Sequence, residues 1–369
     1  MKKKLLFITG TMNQTSQMLQ IAHELPEYDC WFSQIFADSP LINFVISYTS
    51  LINTTIISNH YKTQSEAFLR EKGHQIDYSA AKNQYDLVVY CSDLVIPDRL
   101  LRGKTLWVQE GMTDPYSLWS RVVRKFNLPP YLTGNTSLNG SSNVCDIYCA
   151  ASEGYKDYFT MRGTEGGKIF ATGIPNFDNI RQFTFNDFPH KNYVMVATTD
   201  MRETYRIDNR KAFIKRCVEI ADGRKLLFKL HPNEVIERAI DEIKLYAPKD
   251  SLIYWGGNTN EMIANSVELI TQYSTVAYVG LALGIPVHSY FDVDELKRLA
   301  PIQNIGISAK NIAHIARNFV NFEGKKEDFV KQFHYEPYQN EVDKMLDSLT
   351  VKKRKKGKNT EGVEEFELV

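Results

Sequence analysis

The sequence predicts an α/β protein built from two Rossmann-like domains, and three observations carry that reading. From Lys225 to Tyr290, strand-like apolar runs (KLLFKL, SLIYW, VELIT, PVHSY) alternate with segments of helical period. The same rhythm runs through the first half of the chain, as expected for parallel sheets wrapped by helices. At 369 residues, 43% of them hydrophobic, the chain is too long for one typical core and apolar enough to fill two.

Taken in order, Lys4 to Thr9 reads as the first strand and Gly10-Thr11 as the turn after it. A helix from Gln14 to Leu25 follows, with Met18, Ile21, Ala22 and Leu25 on one face. Leu41 to Ile57 reads as an amphipathic helix leading into a short strand. Further strands are expected at Asp29 to Ile35, Asp86 to Cys91, Thr105 to Gln109, Cys145 to Ala150 and Lys168 to Ala171. They complete a first domain over residues 1–174. Pro175, Pro189 and the polar, aromatic-rich stretch between them break the periodicity and mark the crossing point. The second domain, residues 190–335, opens with a strand from Tyr193 to Ala197 and a helix from Asn209 to Ala221, and it includes a helix from Ile312 to Phe319. A last helix is expected over Tyr338 to Leu349, within residues 336–350. Residues 351–369 read as a disordered tail, basic first and then acidic.

Composition narrows the function. Lys plus Arg and Asp plus Glu are equal at 44 each, so net charge does not call for nucleic acid. Cys30, Cys91, Cys145, Cys149 and Cys217 are odd in number without CxxC spacing, which reads as reduced core residues of a cytoplasmic protein. The apolar run after the basic N-terminus, Leu5 to Ile8, is too short for a signal peptide, and no run of ~18 apolar residues exists to cross a membrane.

Chemistry-bearing residues fall at strand ends. Leu230-His231-Pro232-Asn233 and Gln272-Tyr273-Ser274-Thr275 each stand where a strand turns into a helix. Ligands of open α/β sheets bind there, because helix N-termini present N–H groups to an anion. A nucleotide phosphate suits both turns, with His231, Ser274 and Thr275 as further donors; Ser274 as a simple helix cap is compatible with that role. In the first half, Asp93 ends the strand DLVVYCSD and Glu110 ends KTLWVQEG, so both acids are expected to line a cleft facing the second domain. Asp93 equally suits a helix cap, whereas Glu110 before Gly111 caps poorly. The Gly10-Thr11 turn also offers N–H groups but lacks the GxGxxG dinucleotide fingerprint.

LHP followed by ITQYSTVAYVGLALGIPV resembles the C-terminal domain of GT-B sugar-nucleotide enzymes. It is similar to CDP-glycerol glycerophosphotransferases, to bacterial HP-motif sialyl- and Kdo-transferases, and to UDP-N-acetylglucosamine 2-epimerases. The resemblance implies two domains facing across a cleft, the nucleotide on the second, and a final helix that crosses back to the first. In the epimerases a strand is followed by VEAGLRTGD as VQEGMTDP follows one here; Glu110 then matches an essential glutamate and Asp93 an essential aspartate. In HP-motif sialyltransferases, Glu110 matches the catalytic base. Likeness to the epimerases extends to ITGTMNQ (with Gly10 and Thr11), to ATGIPNFD (with Gly173) and to TTDMRET (with Asp200 and Arg202). Met12 replaces that family's arginine, Asp200 its histidine, and Val279 lies about where its ribose-binding glutamate would be.

The resemblance therefore implies a metal-independent, inverting glycosyltransferase of surface-glycan synthesis, with catalytic Glu110 and Asp93 and with His231, Asn233, Gln272, Ser274 and Thr275 on a UDP-, CMP- or CDP-linked sugar. Gly10, Thr11, Gly173, Asp200 and Arg202 would line the cleft. No cofactor beyond the nucleotide sugar is expected, the acceptor is a glycan or lipid-linked glycan, and a homodimer is allowed. An epimerase and a non-catalytic sugar-nucleotide binder are the alternatives. Asp292-Val293-Asp294 looks like a metal-binding DxD, but Asp at the start of the helix DELKRL is expected on dipole grounds alone. Trp119 to Leu132 mixes Arg121, Arg124 and Lys125 with aromatics, which fits an ordinary amphipathic helix and loop or contact with a membrane surface.

Overall fold

A computed structural model describes residues 2–38, 59–203 and 206–338. Residues through Tyr335 form one compact unit holding two sheets. The first contains β1 (Lys4–Thr9), β2 (Asp29–Gln34), β3 (Gln75–Ile76), β4 (Leu87–Tyr90), β5 (Thr105–Val108), β6 (Ile147–Ala150) and β7 (Ile169–Ala171). Among the described residues it is seven-stranded, in the order β3-β2-β1-β4-β5-β6-β7, and every pairing is parallel. The second holds β8 (Tyr193–Ala197), β9 (Leu226–Lys229), β10 (Leu252–Tyr254), β11 (Ser266–Thr271) and β12 (Val287–His288), five parallel strands in the order β10-β9-β8-β11-β12.

Burial on both faces explains the sequence of the central strands. LVVY, TLWV and IYCA are buried at every position, because helices cover a parallel sheet on both sides and leave no face for polar residues. Strand order reverses between β1 and β4 in the first sheet and between β8 and β11 in the second. A crevice opens at such a reversal, because the flanking helices depart to opposite faces. Thr11 follows β1 and Gln272 follows β11, so each reversal carries a residue singled out by sequence.

The expected strands and the helices Met12–His23 and Arg210–Ala221 are present, with ends shifted by a residue or two. The C-terminal part differs. The helix Ser308–Asn321, assigned by sequence to the second domain, packs on the first sheet. Its Ile312, Ala316 and Phe319 share a core with Leu5, Phe7, Leu106 and Ile147, and Phe329 and Tyr335 extend it. The chain thus already returns to the first sheet within residues 308–335. An apolar stripe signals burial but not which sheet it covers, so periodicity alone could not assign it. Two lysines fix the choice at the helix end: Lys104 Nζ donates to the carbonyls of Phe319 at 2.7 Å and Phe322 at 2.7 Å, and Lys3 Nζ to that of Val320 at 3.0 Å. The expected segments Leu41–Ile57, 339–350 and 351–369 lie outside the described residues. Among the described residues, no helix is long and apolar enough to cross a membrane.

Candidate functional site

Glu110 stands at the first sheet's carboxyl edge and is held by side chains of a neighbouring helix start. Thr11 caps the Met12–His23 helix in a capping box: its Oγ1 accepts from Gln14 N–H at 3.2 Å and its own N–H donates to Gln14 Oε1 at 3.4 Å. The same first turn reaches Glu110. Thr11 Oγ1 (3.2 Å) and Asn13 Nδ2 (3.0 Å) donate to Oε1, and Gln14 Nε2 (2.7 Å) donates to Oε2. A carboxylate offers roughly four lone-pair directions, so one on Oε2 remains for a substrate. The backbone beneath is fixed as well: buried Gln109 accepts from Ala151 N–H at 2.8 Å and donates to Gly111 O at 2.8 Å.

Asp93 does not line the cleft as expected. It is 3% exposed and clasps the loop after it, accepting from Gly140 N–H (2.8 Å), Ser142 N–H (3.4 Å) and Ser142 Oγ (2.5 Å). Burial pushes its carboxyl above the usual range, against the downward pull of those hydrogen bonds. Gly173 is also placed away from a cleft. Its φ is +80°, and an added Cβ would lie 2.3 Å from Ser308 Oγ and 2.6 Å from Asn304 Nδ2, so it packs under the start of the returning helix. Gly10 stands at the β1 turn beside Thr11.

At the second sheet, a buried polar network joins three strand ends. Glu234 accepts from His231 N–H at 2.9 Å, from Thr198 Oγ1 and, at 2.5 Å, from Arg210 Nη2. Arg210 Nε lies 3.2 Å from Asp208 Oδ2, and Asp208 Oδ1 accepts from Gln272 Nε2 at 2.9 Å. Gln272 Oε1 in turn accepts from Thr199 Oγ1 at 2.8 Å. Two carboxylates therefore share one buried guanidinium, and the network sets the His231 and Gln272 turns relative to each other. Gln272 is 1% exposed and braces these turns from beneath.

His231 Nδ1 accepts from Asn233 N–H at 3.3 Å, which assigns the tautomer with its proton on Nε2. Asp200 Oδ2 lies 3.6 Å from His231 Nδ1 and accepts from Asn233 Nδ2 at 2.8 Å, so these three residues form one cluster. Arg202 is engaged elsewhere: its guanidinium makes a two-pronged pair with Glu242 at 2.7 and 2.8 Å. Arg202, Asp208 and Glu242 also line a depression of about 460 Å³ beside Lys211 and Tyr246, which none of the strand-end residues Glu110, His231, Ser274 or Thr275 reaches. Ser274 Oγ accepts from Val276 N–H at 3.4 Å, and Thr275 is the N-cap position of the helix Val276–Leu283 with no side-chain cap bond of its own. Asp292 caps Val293–Leu299, accepting from Asp294 and Glu295 N–H at 2.9 and 3.3 Å, so the DxD pattern is a helix start here. Among the described residues, no group of three His, Cys, Asp or Glu stands ready to hold a metal ion.

The two edges meet at Gly111. A Cβ there would lie 3.2 Å from Thr275 Cγ2, which puts the Glu110-Gly111 turn in contact with the Ser274-Thr275 turn. Arg206 pairs with Asp114 at 2.8 Å, and the Tyr155 and Tyr278 hydroxyls hydrogen-bond at 2.8 Å, both joining the two halves. Sequence reading missed Asn13, Gln14, Thr198, Thr199, Asp208, Arg210 and Glu234. Thr198-Thr199 ends a strand as Ser274-Thr275 does and was findable on that ground; Arg210, on a helix with polar neighbours, carried no such signal.

The sequence matches no protein-family model and no curated protein. Solved structures do match. The chain superposes on a Listeria monocytogenes protein provisionally assigned as a UDP-N-acetylglucosamine 2-epimerase with a TM-score of 0.55 at 13% identity, covering 88% of this chain and 98% of that one. The chain has the GT-B fold. The UDP-GlcNAc 2-epimerase from Neisseria meningitidis bound to UDP-GlcNAc gives a TM-score of 0.51 at 14% identity over 85% of this chain and 99% of that one. The Methanocaldococcus jannaschii enzyme in complex with UDP-GlcNAc and UDP gives 0.52 at 16% over 85% and 99%. At these identities the likeness is one of GT-B architecture.

Proposed function

We propose that the protein is a metal-independent, inverting glycosyltransferase that moves a sugar from a pyrimidine-nucleotide donor to a hydroxyl of a surface-glycan acceptor on the cytoplasmic side. The observation that carries this reading is the contact at Gly111, which sets a thrice-held carboxylate against a helix start bearing Ser274 and Thr275. Glu110 Oε2 takes the proton of the acceptor hydroxyl while its oxygen attacks the anomeric carbon. The bond to the phosphate oxygen breaks, and the nucleotide departs with the electron pair. His231 Nε2–H, the Ser274 hydroxyl and the positive dipole end of Val276–Leu283 stabilise the charge on that phosphate. Asp93 supports the reaction only through the loop it clasps.

Likeness to UDP-GlcNAc 2-epimerases favours a second reading, an epimerase acting on UDP-N-acetylhexosamine. Against it stand Met12, Asp200 tied to Asn233, and Val279 buried in the core where a ribose contact would be needed. Product formed from UDP-GlcNAc without any acceptor decides for the epimerase.

The first test is thermal stabilisation of the purified protein by UDP, CMP, CDP and GDP, each with and without EDTA. A ligand at a hundredfold excess over its dissociation constant adds ~2.7 kcal/mol. A shift with one pyrimidine nucleotide that survives EDTA supports the reading and names the donor class; no shift with any nucleotide removes its basis.

A further inference from the structure

We propose that the segment Leu118 to Leu132 is a docking surface for an anionic lipid bilayer. It stands on its own observations and does not depend on the transfer reaction. The helix Leu118–Lys125 is capped by Ser117, whose Oγ accepts from Ser120 N–H at 3.1 Å, and it buries only Ser120 and Val123. At 3.6 residues per turn, its outward side divides into two stripes. Leu118, Trp119, Val122 and Phe126 occupy one arc; Arg121, Arg124 and Lys125 occupy the adjoining arc, all three exposed.

The apolar stripe is not covered by the fold. Leu118 is 77% exposed, Phe126 65% and Trp119 51%, far from the burial that large apolar side chains usually find. The turn Pro130–Thr133 adds exposed Tyr131 and Leu132 to the ridge. Trp119 Nε1–H donates to Leu132 O at 3.0 Å, which locks turn to helix and satisfies the indole's polar atom. A preformed apolar ridge with its one buried-prone N–H already paired can enter an acyl boundary without stranding a donor.

Charge selects the occupant. Between Asp114 and Asp146 the chain carries three cations and no Asp or Glu. A symmetric contact between two copies would set these cations against each other with no acid to pair them. Phosphate headgroups instead complement the cations while the adjoining stripe dips below them.

The full-length protein is sedimented with vesicles of phosphatidylcholine alone and of phosphatidylcholine and phosphatidylglycerol in equal parts. Binding to the anionic vesicles with a blue shift of tryptophan emission is expected. Leu118→Ser/Phe126→Ser should abolish the blue shift. Arg121→Glu/Arg124→Glu/Lys125→Glu should weaken partition at least on the order of a hundredfold, because each cation near such a surface contributes roughly a fivefold factor. All five substitutions are at exposed positions and leave the core untouched, and unchanged melting checks that. The proposal is overturned if the wild-type protein stays in the supernatant, or if both variants bind as it does, which would assign binding to a region such as the basic run Lys352–Lys356. Light scattering showing that either variant dissociates an oligomer would also overturn it, in favour of a contact between copies.

Discussion

Glu110 and Asp93 are both strand-end carboxylates, yet their surroundings give them different work. Glu110 takes its three hydrogen bonds from side chains of one helix start; Asp93 spends its carboxylate on the loop 139–142. Glu110→Gln should lower turnover by ~100-fold or more while the nucleotide-induced melting shift persists. Full transfer by this variant would remove Glu110 as the base. For Asp93 the prediction concerns pH. Its folded-state value lies above the ordinary 3.8, so just above that pH the folded chain holds a proton that the unfolded chain has lost. Stability therefore falls as pH rises through this window. Asp93→Asn keeps an acceptor for Gly140 N–H and should flatten that slope, which urea unfolding across the acid range measures.

At the scale of elements, the proposed transfer rests on two turns touching. Gly111→Ala would place a Cβ 3.2 Å from Thr275 Cγ2, close enough that one turn must move by a few tenths of an ångström. We expect a cost of ~1 kcal/mol in stability, at the lower end for added core atoms, and a larger relative fall in kcat than in nucleotide affinity, because only the acid's position against the donor is disturbed. Thr275→Ser removes the obstructing methyl and keeps the hydroxyl. The double variant should recover most of the loss; additive effects in that cycle would show that the contact is not the cause.

For the whole molecule, the returning helix Ser308–Asn321 completes the first sheet's core from the far end of the chain. Ile312 is fully buried there, so Ile312→Ala should cost ~2–5 kcal/mol in chemical denaturation. A helix belonging only to the second sheet would leave Leu5 and Phe7 indifferent to that change. Burial also controls the thiols. It pushes Cys30 and Cys217 up to about 12, and Cys91, Cys145 and Cys149 upward too. All five are free, and native protein at neutral pH should react slowly with a thiol reagent while unfolded protein reacts at every cysteine.

The sequence by itself determined the sheets, since LVVY, TLWV and IYCA admit little but strands buried on both faces, and it determined that Glu110, His231 and Ser274-Thr275 stand at strand ends. These are local properties, written in periodicity and turn chemistry. Only the tertiary structure decided the rest. In sequence Asp93 fits a cleft acid or a cap equally, and it is a buried clasp because Gly140 and Ser142, distant in sequence, fold back onto it. Arg210 gave no sign of its place between Asp208 and Glu234, because a cation on a helix looks the same in solvent or in a buried network. The helix Ser308–Asn321 follows the second sheet's strands in sequence yet covers the first sheet, because an amphipathic stripe specifies that it must be covered, whereas the partner is chosen by long-range contacts such as Lys104 with the carbonyls of Phe319 and Phe322.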